Sequence, residues 1–130
     1  MSINNFEFYF KLIAKKYSNK IALIDIDDTK FTYKKLDYLS DNIANFLNYK
    51  LPKEKIVAID SAKNFKTILG FLGALKSKKT YFFLDLNQPK KRILKILKKT
   101  KTKNLITENK MKFSNINSLS ISKILIKKNK

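Results

Sequence analysis

Cysteine, histidine and tryptophan are absent from this 130-residue sequence, glycine and proline occur twice each, and Arg92 is the one arginine. Each gap removes a class of chemistry. Without cysteine there is no disulfide, no thiolate nucleophile and no Cys-based zinc site. Without histidine the commonest general base and the commonest transition-metal ligand are missing. What remains for chemistry is carboxylates, lysines, hydroxyls and the backbone. Both glycines, Gly70 and Gly73, fall inside a predicted helix. A glycine-rich loop that cradles phosphate with its backbone N–H groups therefore has no residues to form it. Long apolar runs are also missing: the longest uncharged stretch that is mainly apolar, Thr67 to Leu75, is about half of what a membrane span requires. Near the N-terminus, Glu7 and Lys11 interrupt the apolar residues and no basic region precedes them. No export signal is read there, and a cytoplasmic chain is expected.

What is present is enough for one core. The length suits a single domain, and 44% hydrophobic with 12% aromatic residues argues against wholesale disorder. The net charge of +19 raises binding to nucleic acid or to an anionic surface, since clustered cations displace phosphate counterions. Yet the charge is almost all lysine, accompanied by abundant asparagine and isoleucine. All three have A/T-rich codons, so base composition accounts for the excess, and phosphate-forking sites favour arginine. The aromatics Tyr9 and Phe10, candidates for base stacking, lie at helical spacing that reads as core.

Along the chain, residues 6–17 read as a helix capped by Asn5, with Phe6, Phe10, Ile13 and Tyr17 as its stripe. Residues 21–26 read as a strand, Asp27-Asp28 as a turn, and Lys30-Phe31-Thr32 as a return strand, making a hairpin with its tip near Asp28. Thr32 caps a helix from about Tyr33 to Tyr49, whose apolar positions are Leu36, Leu39, Ile43 and Phe46. Residues 56–60 form a strand. Residues 66–76 form a helix apolar on every side, so it is covered on more than one face, and its two glycines mark close packing. A strand over 80–85 follows, then a helix with Pro89 in its first turn and Ile93, Ile96 and Leu97 as its stripe. Lys103 to Thr107 is a short strand. Residues 108–130 read as a weakly ordered, Lys/Asn/Ser-rich end with one strand around Leu119 to Ile126. Strands alternating with helices give an α/β fold: a layered, largely parallel sheet with helices on both faces and an N-terminal hairpin.

Five segments in order resemble the adenylate-forming (AMP-dependent synthetase/ligase) enzymes, closest to the amino-acid adenylation domains of nonribosomal peptide synthetases. Phe31-Thr32-Tyr33-Lys34-Lys35-Leu36 is similar to the family's (L/F)TYxEL motif, and Ser40, Ala44 and Leu47 follow its helix pattern. Lys55 to Ile59 resembles the next strand, Ile68-Leu69-Gly70 through Leu75-Lys76 the buried ILAxLKAG helix, and Tyr81 to Ile93 the segment YxPLDPxxPxxRI. The departures are Lys35 in place of a capping-box glutamate, Lys78 in place of a helix-ending glycine, and Phe83 and Leu86 in place of prolines. The resemblance implies that residues 1–107 are part of an adenylation domain's N-terminal subdomain, an incomplete lobe. In complete members ATP and Mg are the cofactors. The phosphate loop, the ribose-binding aspartate and the catalytic lysine all lie further along, so no catalytic, cofactor-binding or metal-ligating residue is carried over to this chain. A truncated or split fragment, inactive alone, is the expectation. Its partners would be the remainder of the enzyme or a carrier protein.

A rival motif runs through the first strand. Ile21 to Thr29 reads I-A-L-I-D-I-D-D-T, which resembles the opening motif of haloacid-dehalogenase-like phosphatases. That resemblance implies Asp25 as nucleophile, Asp27 as general acid and base, and Mg²⁺ between carboxylates and phosphate; I-V-A-I-D-S ending at Ser61 would imitate the second motif. No acidic pair follows a later strand to complete the metal site, and hairpin-turn chemistry explains the same aspartates.

Overall fold

A computed structural model describes residues 5–128. The chain opens with α1 (Phe6–Lys16) and a hairpin of β1 (Ile21–Ile24) and β2 (Lys30–Thr32). There follow α2 (Tyr33–Lys50), β3 (Ile56–Asp60), α3 (Phe65–Lys76), β4 (Thr80–Leu84), α4 (Lys90–Lys99), β5 (Asn104–Ile106), β6 (Asn117–Leu119) and α5 (Ile121–Lys128). The hairpin is a separate antiparallel pair, while β4-β3-β5-β6 form one parallel sheet in that order. Side chains alternate across strands β3, β4 and β5, so these strands feed two cores. Val57, Ile59 and Ile106 join α2, α3 and α5 on one face. Ala58, Leu84 and Leu105 meet Ile93 and Leu97 of α4 on the other. The predicted layered α/β architecture is what the chain adopts.

The helix ends follow local chemistry. Asn5 accepts the Glu7 N–H (2.9 Å), Thr32 that of Lys35 (3.1 Å), and Asn64 those of Lys66 and Thr67 (2.9 and 3.2 Å). Pro89 stands one place earlier than predicted, as the cap whose carbonyl accepts from Arg92 and Ile93. Helix α3 ends at Ser77 and turns through Lys78 at φ 64°. Helix α4 turns the same way through Lys101 at φ 55°. Both are left-handed positions that glycine would occupy without strain, costing a lysine about 1 kcal/mol.

Two readings of the pattern differ from the structure. The apolar stripe of α1 is mostly outside: Phe10 and Ala14 are buried, whereas Phe6, Tyr9, Ile13 and Tyr17 are exposed. Helix α1 buries only its Phe10–Ala14 line against α2 and α3, with Phe6 resting on the Phe71 ring at 5.8 Å and Lys11 reaching Asp37 and Asp41. Around Leu119 to Ile126 the strand ends at Leu119 and a helix begins at Ile121. Ile121, Ile124 and Leu125 sit at i, i+3, i+4, and the first two are buried against the main core. The β-branched composition invites a strand, but the spacing is helical.

Helices α2 and α3 approach unusually closely. A Cβ on Gly73 would lie 2.3 Å from Cγ2 of Ile43, a fully buried residue of α2. A Cβ on Gly70 would meet side-chain methyls of Ile106 and Ile59 at 3.3 and 3.4 Å. Beside that contact sits an ammonium. The Lys76 side chain is 3% exposed, and its Nζ donates to Asp37 Oδ1 (2.6 Å), Ser40 Oγ (2.7 Å), Asp41 Oδ1 (2.9 Å) and the Asp37 carbonyl (3.1 Å). It also lies over the Phe10 ring at 5.2 Å. Lys11 of α1 reaches the same carboxylates, at 2.7 Å from Asp41 Oδ2. Burial favours a neutral Asp41, but hydrogen bonds from Lys11 and Lys76 outweigh it and hold the carboxyl below its ordinary value. Burial likewise opposes the Lys11 charge, and hydrogen bonds to Asp41 and Asp37 raise its value nonetheless.

Two outcomes follow. Gly73→Ala destabilises the protein by about 2 kcal/mol or more in urea unfolding, since overpacking exceeds the roughly 1 kcal/mol propensity gain; Gly70→Ala changes stability less. The depressed Asp41 stabilises the fold above its unfolded value, and that contribution is lost as acid protonates it, below about pH 4. The raised Lys11 gives the opposite limb, lost above about pH 10. Urea midpoints measured against pH show both limbs, and Asp41→Asn flattens the acid one.

Candidate functional site at the strand ends

Strand order places one natural crevice. From β3 the chain leaves through α3 to β4 on one side, then returns through α4 to β5 on the other. The carboxyl ends of β3 and β5 thus flank a topological switch point, where open α/β sheets bind ligands. Asp60 ends β3, Thr107 follows β5, and the first turn of α3 stands above them. Thr107 Oγ1 donates to Asp60 Oδ2 at 2.6 Å, and Asp60 Oδ1 accepts the Ala62 N–H at 3.1 Å. The Thr67 hydroxyl reaches the carbonyls of Asp60 (3.1 Å) and Ala62. Glu108 accepts from Ser120 Oγ and the Ile121 N–H, both at 2.8 Å, and lies 3.8 Å from Lys66 Nζ. Burial alone would raise the Glu108 value, but the Ser122, Ser120 and Ile121 hydrogen bonds and the Lys66 charge bring it below the ordinary one. Glu108 is therefore a cap for α5 supplied from a distance.

The cavity among these groups measures about 30 Å³. That is room for about one water molecule, against the several hundred Å³ of a nucleotide-sized site. Nor is the α3 N-terminus open to an anion: Asn64 takes the N–H groups of Lys66 and Thr67, and Asp25 takes that of Phe65 at 3.1 Å. With both glycines packed within α3, the residues present do not fit a triphosphate. This crevice is a structural joint between strands β3 and β5 and helices α3 and α5.

The aspartates of the rival motif are placed as turn residues. Asp27 accepts the Thr29 N–H at 3.0 Å, Asp28 adopts φ 67°, and the Asp25 carboxylate ties the hairpin to α3 through Phe65. The Thr29 hydrogen bonds lower the Asp27 value, more than slight desolvation raises it. Their strand belongs to the two-stranded antiparallel hairpin and not to the parallel sheet. Among the described residues no group of three carboxylates, histidines or cysteines is arranged to hold a metal ion. Ser61 lies just past β3, its N–H bonded to the Leu84 carbonyl (3.0 Å). Nothing in this arrangement supports the phosphatase reading. Sequence reasoning missed the Asp60–Thr107 bond, Glu108 as a cap, and the Asp37–Ser40–Asp41 cradle for Lys76. The cradle had a signal: three polar residues at i, i+3, i+4 beside the apolar stripe of α2.

Comparison with known proteins agrees with this architecture. The sequence model of the AMP-binding enzymes matches residues 10–129. Cyclosporin synthetase simA of Tolypocladium inflatum is 35% identical over 98 residues, which are 75% of this chain and 1% of that protein. The bassianolide nonribosomal cyclodepsipeptide synthetase of Beauveria bassiana is 33% identical over 89 residues, 68% of this chain and 3% of that protein. The N-terminal subdomain of Klebsiella oxytoca NpsA superposes with a TM-score of 0.82 at 22% identity, covering 94% of this chain and 32% of that one. The chain thus spans a few per cent of the synthetases it matches and about a third of the solved subdomain. The five motif segments, the parallel sheet they build and the match over residues 10–129 place this chain in the AMP-binding enzyme family.

Proposed function

We propose that these residues are the opening framework of the large lobe of an ATP-dependent enzyme that activates an amino acid or related carboxylate as its adenylate. The observation that carries this is the family match along residues 10–129, joined to alignments with peptide synthetases. The polar groups at the switch point are satisfied within the protein, which suits framework better than a site. On this reading the phosphate-binding loop, the groups that hold ATP and Mg, and the catalytic lysine come from polypeptide beyond these 130 residues. That polypeptide is the first partner; a carrier protein that accepts the acyl group is the second. The 130 residues by themselves are inactive, as a truncated or split piece of the enzyme would be. The compartment is cytoplasmic on the same reading; among the described residues no helix is long and apolar enough to cross a membrane.

The isolated chain is expected to give no amino-acid-dependent exchange between ATP and pyrophosphate, and no heat on titration with ATP. Co-expression with a polypeptide carrying the phosphate loop and catalytic lysine restores exchange. ATP binding by the 130 residues alone contradicts the framework assignment.

A further inference from the structure

Helix α4 covers its face of the sheet, and the side it turns outward is cationic throughout. Ile93 and Leu97 point into the core, 0 and 2% exposed. At about 100° per residue, Lys91, Arg92, Lys95, Lys98 and Lys99 fill the arc opposite that stripe, and all five are exposed. From Leu86 to Thr107 the sequence holds eight cations and no carboxylate. Among the described residues none of the five forms an ion pair. The acids of the chain are engaged elsewhere: Asp37 and Asp41 with Lys11 and Lys76, Glu7 with Lys78, Asp60 with Thr107, and Glu108 with Lys66 and the start of α5. Such a face stays on the outside, because an unpaired ammonium taken out of water is strongly unfavourable.

The placement of these charges opposes the helix that carries them. Lys90, Lys91 and Arg92 stand in the first turn, where the helix dipole favours anions. Lys91 with Lys95, and Lys95 with Lys99, are like-charge pairs at i, i+4. Base composition explains how many lysines the chain has, and not their gathering on one arc without acids. We propose that the outer face of α4 binds nucleic acid through the phosphate backbone, without reading sequence. A polyanion relieves the repulsion within the helix and releases its own counterions as it docks. Helix α4 carries no aromatic side chain for base stacking, and lysines act as flexible point charges, so the contact is with phosphate and not with base edges. An anionic bilayer is the poorer match, since a helix is secured there by an apolar side that inserts, and Ile93 and Leu97 are held in the core. The two flanks of the helix differ. Glu54 borders the groove beside Lys98, Lys101 and Lys103, whereas Lys91, Arg92, Lys95 and Lys99 line the other groove with no acid among them. The phosphates therefore lie toward the Lys91–Lys95–Lys99 row.

Fluorescence anisotropy of the full chain with a labelled DNA duplex of about 20 base pairs tests this. With about four phosphates neutralised, the association constant falls with salt at a log–log slope of about −3.5. The triple variant Lys91→Gln, Lys95→Gln, Lys99→Gln makes that slope shallower by about 2 to 3 and weakens binding about tenfold or more at about 0.05 M NaCl. Glutamine keeps the helix propensity and removes the like-charge pairs, so the variant folds, which circular dichroism checks. The control triple Lys15→Gln, Lys16→Gln, Lys20→Gln takes the same charge from exposed positions around the end of α1 and changes the slope by less than about 1. A duplex of unrelated sequence binds within about threefold of the first. No binding at the lowest salt, equal losses from the two triple variants, or displacement of the duplex by an equal charge of phosphatidylserine vesicles overturns the proposal.

Discussion

The Lys76 ammonium is the constraint on which the helical layer depends. A charge buried among three helices is stable only with its partners in place, because an unpaired ion in a protein interior costs several kcal/mol. Here the partners belong to separate elements: Asp37, Ser40 and Asp41 on α2, the Phe10 ring on α1, and the lysine itself at the last residue of α3. Lys11 closes the set by neutralising the second carboxylate from α1. Hydrophobic contact alone lets helices slide along one another; a buried ion with directional hydrogen bonds does not. In this chain the bonds fix how far α3 runs alongside α2, and with it which residue of α3 stands opposite Ile43.

That residue is Gly73. At the observed separation no side chain fits between the helix backbones, so the ion cluster and the glycine contact specify the same register. From there the geometry passes outward. Helix α3 sits on β3 through Gly70 and Ile59, and its N-terminus is tied to the hairpin by Asp25 and by the stacking of Phe31 on Phe65 at 4.8 Å. Its C-terminus must turn at once into β4, and Lys78 takes the left-handed conformation to do so. The chain tolerates that strain, and the same strain at Lys101, because the helix before and the strand after each turn are already held.

Much of this was legible beforehand. Periodicity located α2, β3, α3 and β4, and Thr32, Asn5 and Lys78 behaved as their side chains and neighbours dictated. Failures came where one segment's fate depends on surroundings the sequence does not display. Helix α1 is amphipathic by pattern, yet α2 and α3 pack together and leave it only a narrow contact, so Phe6, Tyr9 and Ile13 remain outside. At Ile121 the deciding event is a carboxylate thirteen residues earlier, Glu108, that caps the helix start; no local window contains both. The switch-point crevice was invisible for the same reason, since Asp60 and Thr107 meet only through the strand order. The absent glycines, by contrast, were informative from the outset: a chain with two, both needed for packing, has none to give to a phosphate loop.

On the proposed framework reading these residues need rigidity and no reactive groups, and the polar interior around Lys76 serves that end. The claim that this ion cluster holds the helical layer together is tested most directly by urea unfolding of Lys76→Met. Methionine keeps the volume and the apolar stem but removes the buried donor, leaving Asp37 and Asp41 to Lys11 alone and Ser40 without a cation. The account predicts a loss of about 2 kcal/mol, less than for a fully buried pair because Asp41 is 40% exposed and Lys11 still pairs both carboxylates. It also predicts the earliest loss of amide-exchange protection in α1. Stability within about 0.5 kcal/mol of the parent, the range of ordinary surface substitutions, with α1 protection unchanged, would contradict it.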